Sequence, residues 1–200
     1  MKLKRILIFV IFVIPYLMLG YGYYIHKNEI ENIDNSKIII INKDDFSLKL
    51  YSYKGELLKN YDITIGKNFG NKMEEGDKKT PEGVFNILSI ENSSNWEFDF
   101  EDDNTGPIKG AYGPWFLRLN IPEHKGIGIH GTHNNNNNNT IGKKDSKGCI
   151  RMRNNDLLEL KEEVTLNTTV VILPSSYDLL INNDTTNVIE KMYLKTINKP

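Results

Sequence analysis

The one side chain in this sequence that could act as a strong nucleophile is Cys149, the only cysteine among 200 residues. A single thiol excludes an intramolecular disulfide and a cysteine-rich zinc or iron–sulfur site. Basic residues lie close to it along the chain, at Lys143, Lys144, Lys147, Arg151 and Arg153, against one acid, Asp145. Because positive charge lowers the pKa of a thiol, this pattern predicts an activated cysteine. The alternative is a buried cysteine that acts as a small apolar residue.

A cysteine nucleophile needs a base within hydrogen-bond reach and a third group that orients this base. Of the four histidines, His130 fits best, because it ends an apolar stretch and precedes Gly131 and Thr132. A second interpretation is a metal site built from His130 and His133 with either His124 or Cys149. No pattern of carboxylates supports it, and two histidines three positions apart are a weak signal. The sequence therefore favours a Cys149–His130 pair.

The elements that must position this pair are short and mostly extended. Alternating or β-branched segments predict strands, and a leucine stripe that begins at Asp156 predicts one helix, capped by that residue. The predicted strands cover residues 37–42, 46–53, 57–65, 84–90, 115–120, 126–130 and 168–173, and the predicted helix covers 156–165. A charged, glycine-containing loop is expected at residues 66–79. The chain is therefore predicted to form one mainly β domain with few helices.

The N-terminal segment, residues 1–27, differs from the rest in charge. It carries Lys2, Lys4, Arg5 and Lys27 and no acid, and its residues 6–24 are apolar. As a helix this apolar run would span about 28 Å, close to the thickness of a bilayer core. We expect a single-pass membrane anchor that leaves the domain on the extracytoplasmic side. The alternative is a cleaved signal peptide and a secreted domain.

Three further segments are polar. Residues 28–36 are expected to be a spacer, and residues 134–139 are six consecutive asparagines that predict a mobile loop. The acidic segment 96–103 is interpreted either as a solvated edge or as a rim for a cationic ligand. Residues 174–200 form a C-terminal extension whose role the sequence does not indicate. The 25 basic and 26 acidic residues nearly balance, which is not typical of a nucleic-acid-binding protein.

Residues 37–173 resemble the catalytic domain of the L,D-transpeptidase family, the YkuD domain. The resemblance rests on the segments His130-Gly131-Thr132 and Ser146-Lys147-Gly148-Cys149-Ile150-Arg151-Met152, followed by Asp156. Family-like elements also occur at Gly66-Lys67, at Thr80-Pro81 with Gly83 and Phe85, and at Gly113-Pro114-Trp115-Phe116. Lys147 departs from the family pattern, in which histidine is frequent at this position. The resemblance implies a β-sandwich-like fold with one or two short helices.

The resemblance also implies roles for the site residues. Cys149 attacks the carbonyl that joins the third residue of a peptidoglycan stem to the D-Ala that follows. His130 acts as base and then protonates the leaving amine. The carbonyl of Gly131 orients the imidazole, and Ser146 belongs to the same hydrogen-bonded cluster. Gly148 is expected to stabilise the oxyanion through its N–H, together with the N–H of Cys149. Thr132 and Arg151 are the other residues expected to stabilise the oxyanion or to bind substrate.

The implied reaction transfers a cysteinyl thioester to the amine of a neighbouring stem, which forms a 3→3 cross-link with release of D-Ala. Hydrolysis by an L,D-carboxypeptidase, D-amino-acid exchange and a non-catalytic wall-binding module are the alternatives. For Arg151, a structural ion pair and guidance of a stem carboxylate both stay open. The family is acylated by carbapenems and requires no cofactor. The acceptor, the third stem residue and the oligomeric state are not indicated.

Overall fold

The computed structural model describes residues 14–34, 36–99, 106–133 and 141–176. Its first element, helix α1 (Ile14–Asp34), runs across the expected boundary between anchor and spacer. The large apolar side chains of this helix, such as Tyr16, Leu19 and Tyr23, are exposed. Within the described residues, no helix is both long and apolar enough to cross a membrane. Residues 1–13, which include part of the predicted anchor, lie outside the described ranges.

The rest of the described chain is mainly β, as predicted, with one further helix. The strands are β1 (Lys37–Asn42), β2 (Ser47–Ser52), β3 (Leu57–Gly66), β4 (Gly83–Asn92), β5 (Glu97–Phe98), β6 (Ile108–Lys109), β7 (Trp115–Leu119), β8 (Gly128–His130), β9 (Lys144–Ser146), β10 (Ile150–Met152) and β11 (Thr169–Leu173). Helix α2 (Asn154–Glu163) lies between β10 and β11. The seven strands predicted from the sequence are all present, with ends shifted by up to a few residues.

The strand pairings form a closed ring. The order β10–β8–β7–β4–β11–β1–β2–β3 returns to its start, because β10 also pairs with β3, and β9 is added alongside β3. Strand β10 runs parallel to β8 and antiparallel to β3. The family resemblance implied a β-sandwich-like fold. The three-residue strand β10 closes the ring by hydrogen bonds to both β8 and β3.

The core fills the inside of this ring. Alternate residues of a strand point to opposite faces, and the residues that point inward are aliphatic. At the centre, Ile129 of β8 pairs with Leu117 of β7 and with Ile150 of β10, and all three are fully buried. Leu157 and Leu160 of α2 belong to the same apolar cluster. Residues next to these in β7, β8 and β10 must therefore face outward.

Two features differ from the predictions, and two predicted segments cannot be compared. Helix α2 begins at Asn154 with Arg153 as its N-cap, and no side chain forms a capping hydrogen bond, so the predicted cap at Asp156 is wrong. Strands β5, β6, β9 and β10 are absent from the prediction because two or three residues are too few to show an alternation. The asparagine run and all but the first residues of the C-terminal extension lie outside the described residues.

Candidate active site

A row of polar and aromatic side chains crosses the outer face of β7, β8 and β10. His130 pairs with Phe116 of β7 on one side and with Arg151 of β10 on the other. Arg151 in turn pairs with Thr64 of β3. Directly paired residues share one face of a sheet. The alternation that sends Ile129 and Ile150 into the core therefore places His130 on the opposite side of the sheet.

His130 is nevertheless buried, because aromatic rings cover it from outside. Its ring stacks on Phe116, with centroids 5.7 Å apart and planes 7° from parallel. Tyr112 meets the imidazole edge to face at 5.0 Å, and Trp96 packs on both Tyr112 and Phe116. The covering segment is fixed by hydrogen bonds from Gly131 N–H to the Tyr112 carbonyl at 2.9 Å and from Ser93 Oγ to the Gly113 carbonyl at 2.9 Å. His130 thus lies in an aromatic cage formed by Trp96, Tyr112 and Phe116.

A hydrogen bond to a backbone carbonyl orients the imidazole. Nδ1 of His130 lies 2.7 Å from the carbonyl oxygen of Gly131. Since a carbonyl only accepts, Nδ1 carries the proton and Nε2 is the nitrogen free to accept one. Burial, with a smaller contribution from the nearby Arg151 guanidinium, lowers the pKa of His130 to about 4. The carbonyls of Gly131 and Tyr112 partly oppose this shift. The imidazole is therefore neutral at physiological pH, as a general base must be.

Asn154 fixes the backbone that carries this orienting carbonyl. Its side-chain amide accepts a hydrogen bond from Thr132 N–H at 2.8 Å and donates one to the Thr132 carbonyl at 2.9 Å. The amide packs so closely that a Cβ on Gly131 would collide with its oxygen, and a Cβ on Gly113 would lie 2.6 Å from the same atom. The expected roles of Gly131 and Thr132 thus depend on Asn154, a residue that the sequence analysis did not single out.

Cys149 lies at the end of a tight turn that begins at Ser146. The Ser146 hydroxyl donates to the Cys149 carbonyl at 2.6 Å and accepts from the Gly148 N–H at 3.0 Å. Ser146 therefore shapes the nucleophile loop, which agrees with its expected place in the cluster. The Gly148 N–H is already engaged by this hydroxyl, which leaves the N–H of Cys149 as the better candidate for an oxyanion donor.

The same turn is attached to the loop that follows β3. Gly148 has φ +131°, and a Cβ on it would lie 2.8 Å from the Lys79 carbonyl oxygen. The buried hydroxyl of Thr80 donates to the Gly148 carbonyl at 2.9 Å and accepts from the Gly66 N–H at 2.9 Å. Only glycine fits at position 148 without strain. Thr80, known from the sequence only as part of a turn, thereby becomes a support of the nucleophile loop.

The thiol itself is part-buried. Its Sγ lies 3.5 Å from the carbonyl oxygen of Gly126. Burial raises the pKa of Cys149 to about 11, although the Gly128 N–H and the charges of Arg118 and Lys72 oppose the rise. The prediction that the basic residues next to Cys149 in sequence lower its pKa is therefore wrong. In the resting site, a neutral thiol accompanies a neutral imidazole.

Four of the five basic residues near Cys149 in sequence are engaged elsewhere. Arg151 donates to Asp145 at 2.7 Å, and Arg153 bonds Asp62 at 3.0 Å and Asp156 at 3.4 Å. The ammonium groups of Lys144 and Lys147 lie over the rings of Phe69 and Phe98, at 3.5 Å and 5.1 Å. The cations that act on the sulfur, Arg118 and Lys72, come from distant parts of the sequence. Sequence proximity was a poor guide because these basic side chains pair with acids or lie over aromatic rings.

A cavity of about 790 Å³ brings the predicted site residues together. Its wall includes Cys149, His130, Thr132, Ser146 and Arg151. Gly131 and Gly148 contribute backbone immediately behind this wall. Lys72, Tyr112, Lys125 and His133 also line the cavity. Within the described part of the chain, no three His, Cys, Asp or Glu side chains are grouped so that they could hold a metal ion. The cavity joins a thiol, an oriented imidazole and several cationic groups.

A family model for the L,D-transpeptidase catalytic domain, YkuD, matches residues 36–172. The chain belongs to this family. The protein called YkuD in Bacillus licheniformis is 35% identical over 136 residues, which are 68% of this chain and 65% of that protein. The match therefore spans less than two thirds of this relative.

Two solved structures share the fold of this chain. The cell shape determining protein Pgp2 of Campylobacter jejuni is 24% identical, with a TM-score of 0.51 over 70% of this chain and 48% of that chain. L,D-transpeptidase 3 of Mycobacterium tuberculosis, solved with a faropenem-derived adduct, is 14% identical, with a TM-score of 0.51 over 69% of this chain and 60% of that chain. The resemblance deduced from the His130 and Cys149 segments is thereby confirmed at the level of family and fold.

Proposed function

We propose that this chain is a peptidoglycan L,D-transpeptidase that forms a thioester on Cys149. The observation that carries the proposal is that Cys149 and His130 line the same cavity. Nδ1 of His130 is hydrogen-bonded to the Gly131 carbonyl. This arrangement supplies a nucleophile, a base with Nε2 available, and an orienting group, the three parts that cysteine acyl transfer requires. The family match supports the substrate class, a peptide stem of the cell wall.

In the first half-reaction, the Cys149 thiol transfers its proton to Nε2 of His130 as sulfur attacks the carbonyl of the third stem residue. The carbonyl oxygen becomes an oxyanion, to which the N–H of Cys149 donates. When the intermediate collapses, the C–N bond breaks, the leaving D-Ala amine takes the proton from His130, and a thioester remains. Because both groups are neutral at rest, proton transfer accompanies the attack rather than preceding it.

In the second half-reaction, the amine of a neighbouring stem attacks the thioester, and His130 removes a proton from this amine. The C–S bond breaks, the thiolate recovers the proton from His130, and a 3→3 cross-link is formed. Arg151 is held by Asp145 on the cavity wall and serves to fix the nucleophile loop beside the substrate. The Thr132 backbone, fixed by Asn154, borders the bound stem.

Covalent capture tests the nucleophile. Incubation with a carbapenem, followed by intact-mass spectrometry, should add one drug mass to the wild type and none to Cys149→Ala. A Cys149→Ser variant is the matched control, since it keeps the size of the side chain and loses the thiol. An adduct on Cys149→Ala, or no adduct on a folded wild type, would contradict the proposal.

Muropeptide analysis tests the reaction. Purified protein and a tetrapeptide donor, with a second stem as acceptor, should yield a 3→3 dimer and free D-Ala. The same mixture without acceptor, or with added D-amino acid, distinguishes cross-linking from hydrolysis and from exchange. A tripeptide product alone would support the L,D-carboxypeptidase alternative. Normal wall binding and full complementation by Cys149→Ala would support a non-catalytic module.

We also propose that the N-terminal segment anchors the domain to the membrane, with the active site on the cell-wall side. The support is the basic cluster Lys2, Lys4 and Arg5 ahead of the apolar residues 6–24, and the exposed apolar side chains on α1. The full chain should sediment with membranes and resist carbonate extraction, whereas a chain lacking residues 1–27 should be released. Extraction of the full chain by carbonate would contradict the anchor.

A further inference from the structure

The residue that orients His130 is itself held from both sides. The N–H of Gly131 donates to the Tyr112 carbonyl at 2.9 Å, and the Gly131 carbonyl accepts from Nδ1 of His130 at 2.7 Å. This carbonyl and the N–H of Thr132 are the two ends of one planar peptide group. Because a peptide group is polarised as a unit, a hydrogen bond at its N–H strengthens the acceptor at its carbonyl.

Asn154 binds the N–H end of this peptide group. Its Oδ1 accepts from the Thr132 N–H at 2.8 Å, and its Nδ2 donates to the Thr132 carbonyl at 2.9 Å. The side-chain amide therefore fixes the peptide groups on both sides of the Thr132 Cα. The same Oδ1 lies so close to Gly113 that a Cβ added there would come within 2.6 Å of it. Gly113 follows Tyr112, so Asn154 contacts both the orienting loop and the segment that covers the imidazole.

The place of Asn154 in the chain shows what its amide is used for. It is the first residue of α2, and the side chain of Arg153, which holds the N-cap position, forms no capping hydrogen bond. Asparagine is one of the residues preferred as a helix cap, because its oxygen can accept a backbone N–H of the first turn. Here that oxygen accepts from Thr132, 22 positions earlier in the chain. The amide is thus used at the histidine loop and not at the helix start.

We propose that Asn154 is a positioning residue that acts on His130 through the peptide group between Gly131 and Thr132. The inference rests on the proposed function, in which His130 takes the proton of the Cys149 thiol. The hydrogen bonds run in series from Asn154 Oδ1 to the Thr132 N–H, and from the Gly131 carbonyl to Nδ1 of His130. This series fixes the plane of the imidazole and leaves Nε2 as the nitrogen that accepts the proton.

The consequence for catalysis is both geometric and electronic. Without Asn154 the orienting peptide can rotate, and Nε2 then spends less time aligned with the thiol. The Gly131 carbonyl also becomes a weaker acceptor, so the Nδ1 proton is bound less tightly and Nε2 is a weaker base. In a Ser-His-Asp triad a carboxylate binds the imidazole directly. A neutral amide that acts through a neutral peptide group does similar work without placing a second charge beside the aromatic cage.

The first test needs no substrate. Proton NMR of the ¹⁵N-labelled full chain detects the Nδ1 proton of His130, whose resonance moves upfield as its hydrogen bond weakens. Asn154→Ala should move it upfield. Asn154→Asp keeps an acceptor for the Thr132 N–H but cannot donate to the Thr132 carbonyl, so its shift should be smaller. Asn42→Ala is the matched control, since Asn42 Oδ1 accepts one backbone hydrogen bond, from the Asp44 N–H at 2.9 Å, outside the cavity wall. It should leave the resonance unchanged.

The second test measures the rate of acylation by a carbapenem with the same four proteins. Asn154→Ala should slow acylation by about 10- to 100-fold. Asn154→Asp should slow it less, and Asn42→Ala should acylate at the wild-type rate. The order of the four rates should follow the order of the four Nδ1 proton resonances, because both report the same hydrogen bond. Thermal unfolding of each protein, measured in parallel, identifies any variant that does not fold.

Several outcomes would overturn the inference. A folded Asn154→Ala with the wild-type resonance and rate does so directly. A slower Asn154→Ala with an unchanged resonance does so as well, because it assigns Asn154 a role in stability only. If Asn154→Ala does not fold, Asn154→Asp decides by the same two readouts. A wild type that forms no adduct contradicts the proposed function instead, while the resonance still tests the link between Asn154 and His130.

Discussion

The two partners of the proposed catalytic pair, Cys149 and His130, are held in different ways. The nucleophile loop is fixed by directional hydrogen bonds, from Ser146 to the Cys149 carbonyl and from Thr80 to the Gly148 carbonyl. His130 is bound through Nδ1 to the Gly131 carbonyl and is otherwise largely surrounded by the aromatic cage. One half of the site is thus a polar backbone structure, and the other is an apolar pocket around a single polar ring.

This difference follows from what each partner must do. The loop must present both a sulfur and a backbone N–H at fixed positions relative to one carbonyl, and hydrogen bonds specify such positions closely. The base must stay unprotonated at neutral pH, which burial among aromatic rings achieves by disfavouring the imidazolium. We therefore expect substitutions in the loop to change geometry and rate, and substitutions in the cage to change the pH at which the site works.

The largest effect is expected for substitution of His130, the residue that takes the proton of the Cys149 thiol in the proposed reaction. His130→Gln keeps a polar side chain of similar reach but cannot take the thiol proton, so acylation should slow by about 10²- to 10⁴-fold. The rate of adduct formation with a carbapenem, followed by mass spectrometry, measures it. His133→Gln, the other histidine on the cavity, should acylate at close to the wild-type rate. A slowing below tenfold for His130→Gln would show that another group removes the proton.

A smaller effect is expected in the nucleophile loop. Thr80→Val removes a hydroxyl that bonds both Gly66 and Gly148, and should lower the free energy of unfolding by about 1–3 kcal/mol. If about 1.4 kcal/mol of this is also lost in the transition state, acylation slows about tenfold. Thermal unfolding and acylation rates would be measured together.

Thr168→Val is the matched control for this substitution. Its buried hydroxyl accepts one hydrogen bond, from the Thr165 N–H at 3.0 Å, away from the cavity. It should be destabilised while its acylation rate stays unchanged. If both valine variants acylate alike, the bond from Thr80 to Gly148 matters for folding and not for the placement of Cys149.

For a substitution in the aromatic cage, we expect a change in the pH dependence of kcat/KM. The wild-type kcat/KM should fall only as the pH drops through the His130 pKa of about 4, because protonation removes the base. Phe116→Leu opens the cage, lessens the burial of the imidazole and raises this pKa toward 6.5. Activity at pH 5 should therefore decrease in the variant, with little change at pH 8. If kcat/KM of the variant still falls only at about pH 4, Phe116 does not shield the imidazole from water.

The smallest effect is expected for Arg118, a charged residue next to the aromatic cage. Arg118, held by Glu91 at 2.7 Å and 3.0 Å, lies 4.9 Å from the Phe116 ring and favours the thiolate of Cys149. Arg118→Met should raise the pKa of the thiol and slow its alkylation by iodoacetamide at pH 8 by about two- to fivefold.

The control for Arg118 is Arg153→Met. Arg153 is closer to Cys149 in sequence, but it pairs with Asp62 and Asp156, and no influence of its charge on the thiol is found. Its loss should leave alkylation unchanged. The reverse result, with Arg153→Met the slower variant, would restore the original expectation that the neighbouring basic residues activate the thiol.

Part of this site could be deduced from the sequence because its signals are local. Cys149 is the only thiol, His130 ends an apolar strand, and the strands show their alternation over five or more residues. Strand β10 shows no such alternation, because three residues are too few to reveal a period. It nevertheless places Arg151 beside His130. The element that aligns the pair was thus the one that sequence patterns detect least well.

The electrostatics could not be deduced because they depend on contacts between distant segments. Lys72 and Arg118 lie 77 and 31 positions before Cys149 in sequence, and only folding brings their charges to the sulfur. The covering of His130 by Tyr112 is likewise a tertiary contact. Asn154 could have been suspected as a polar residue at a helix start, but its two bonds to Thr132 require the loop beside it.

The double pairing of β10 has a consequence for how the domain unfolds on heating. Cys149 immediately precedes a strand that is hydrogen-bonded to β8 on one side and β3 on the other, in a ring with no free edge at that point. A strand bonded on both sides opens only when the surrounding sheet opens. Amide protons of β10 should therefore exchange with solvent no faster than the most protected amides of the core. Thermal loss of activity should coincide with cooperative melting of the domain, with no earlier step in which the nucleophile alone is released.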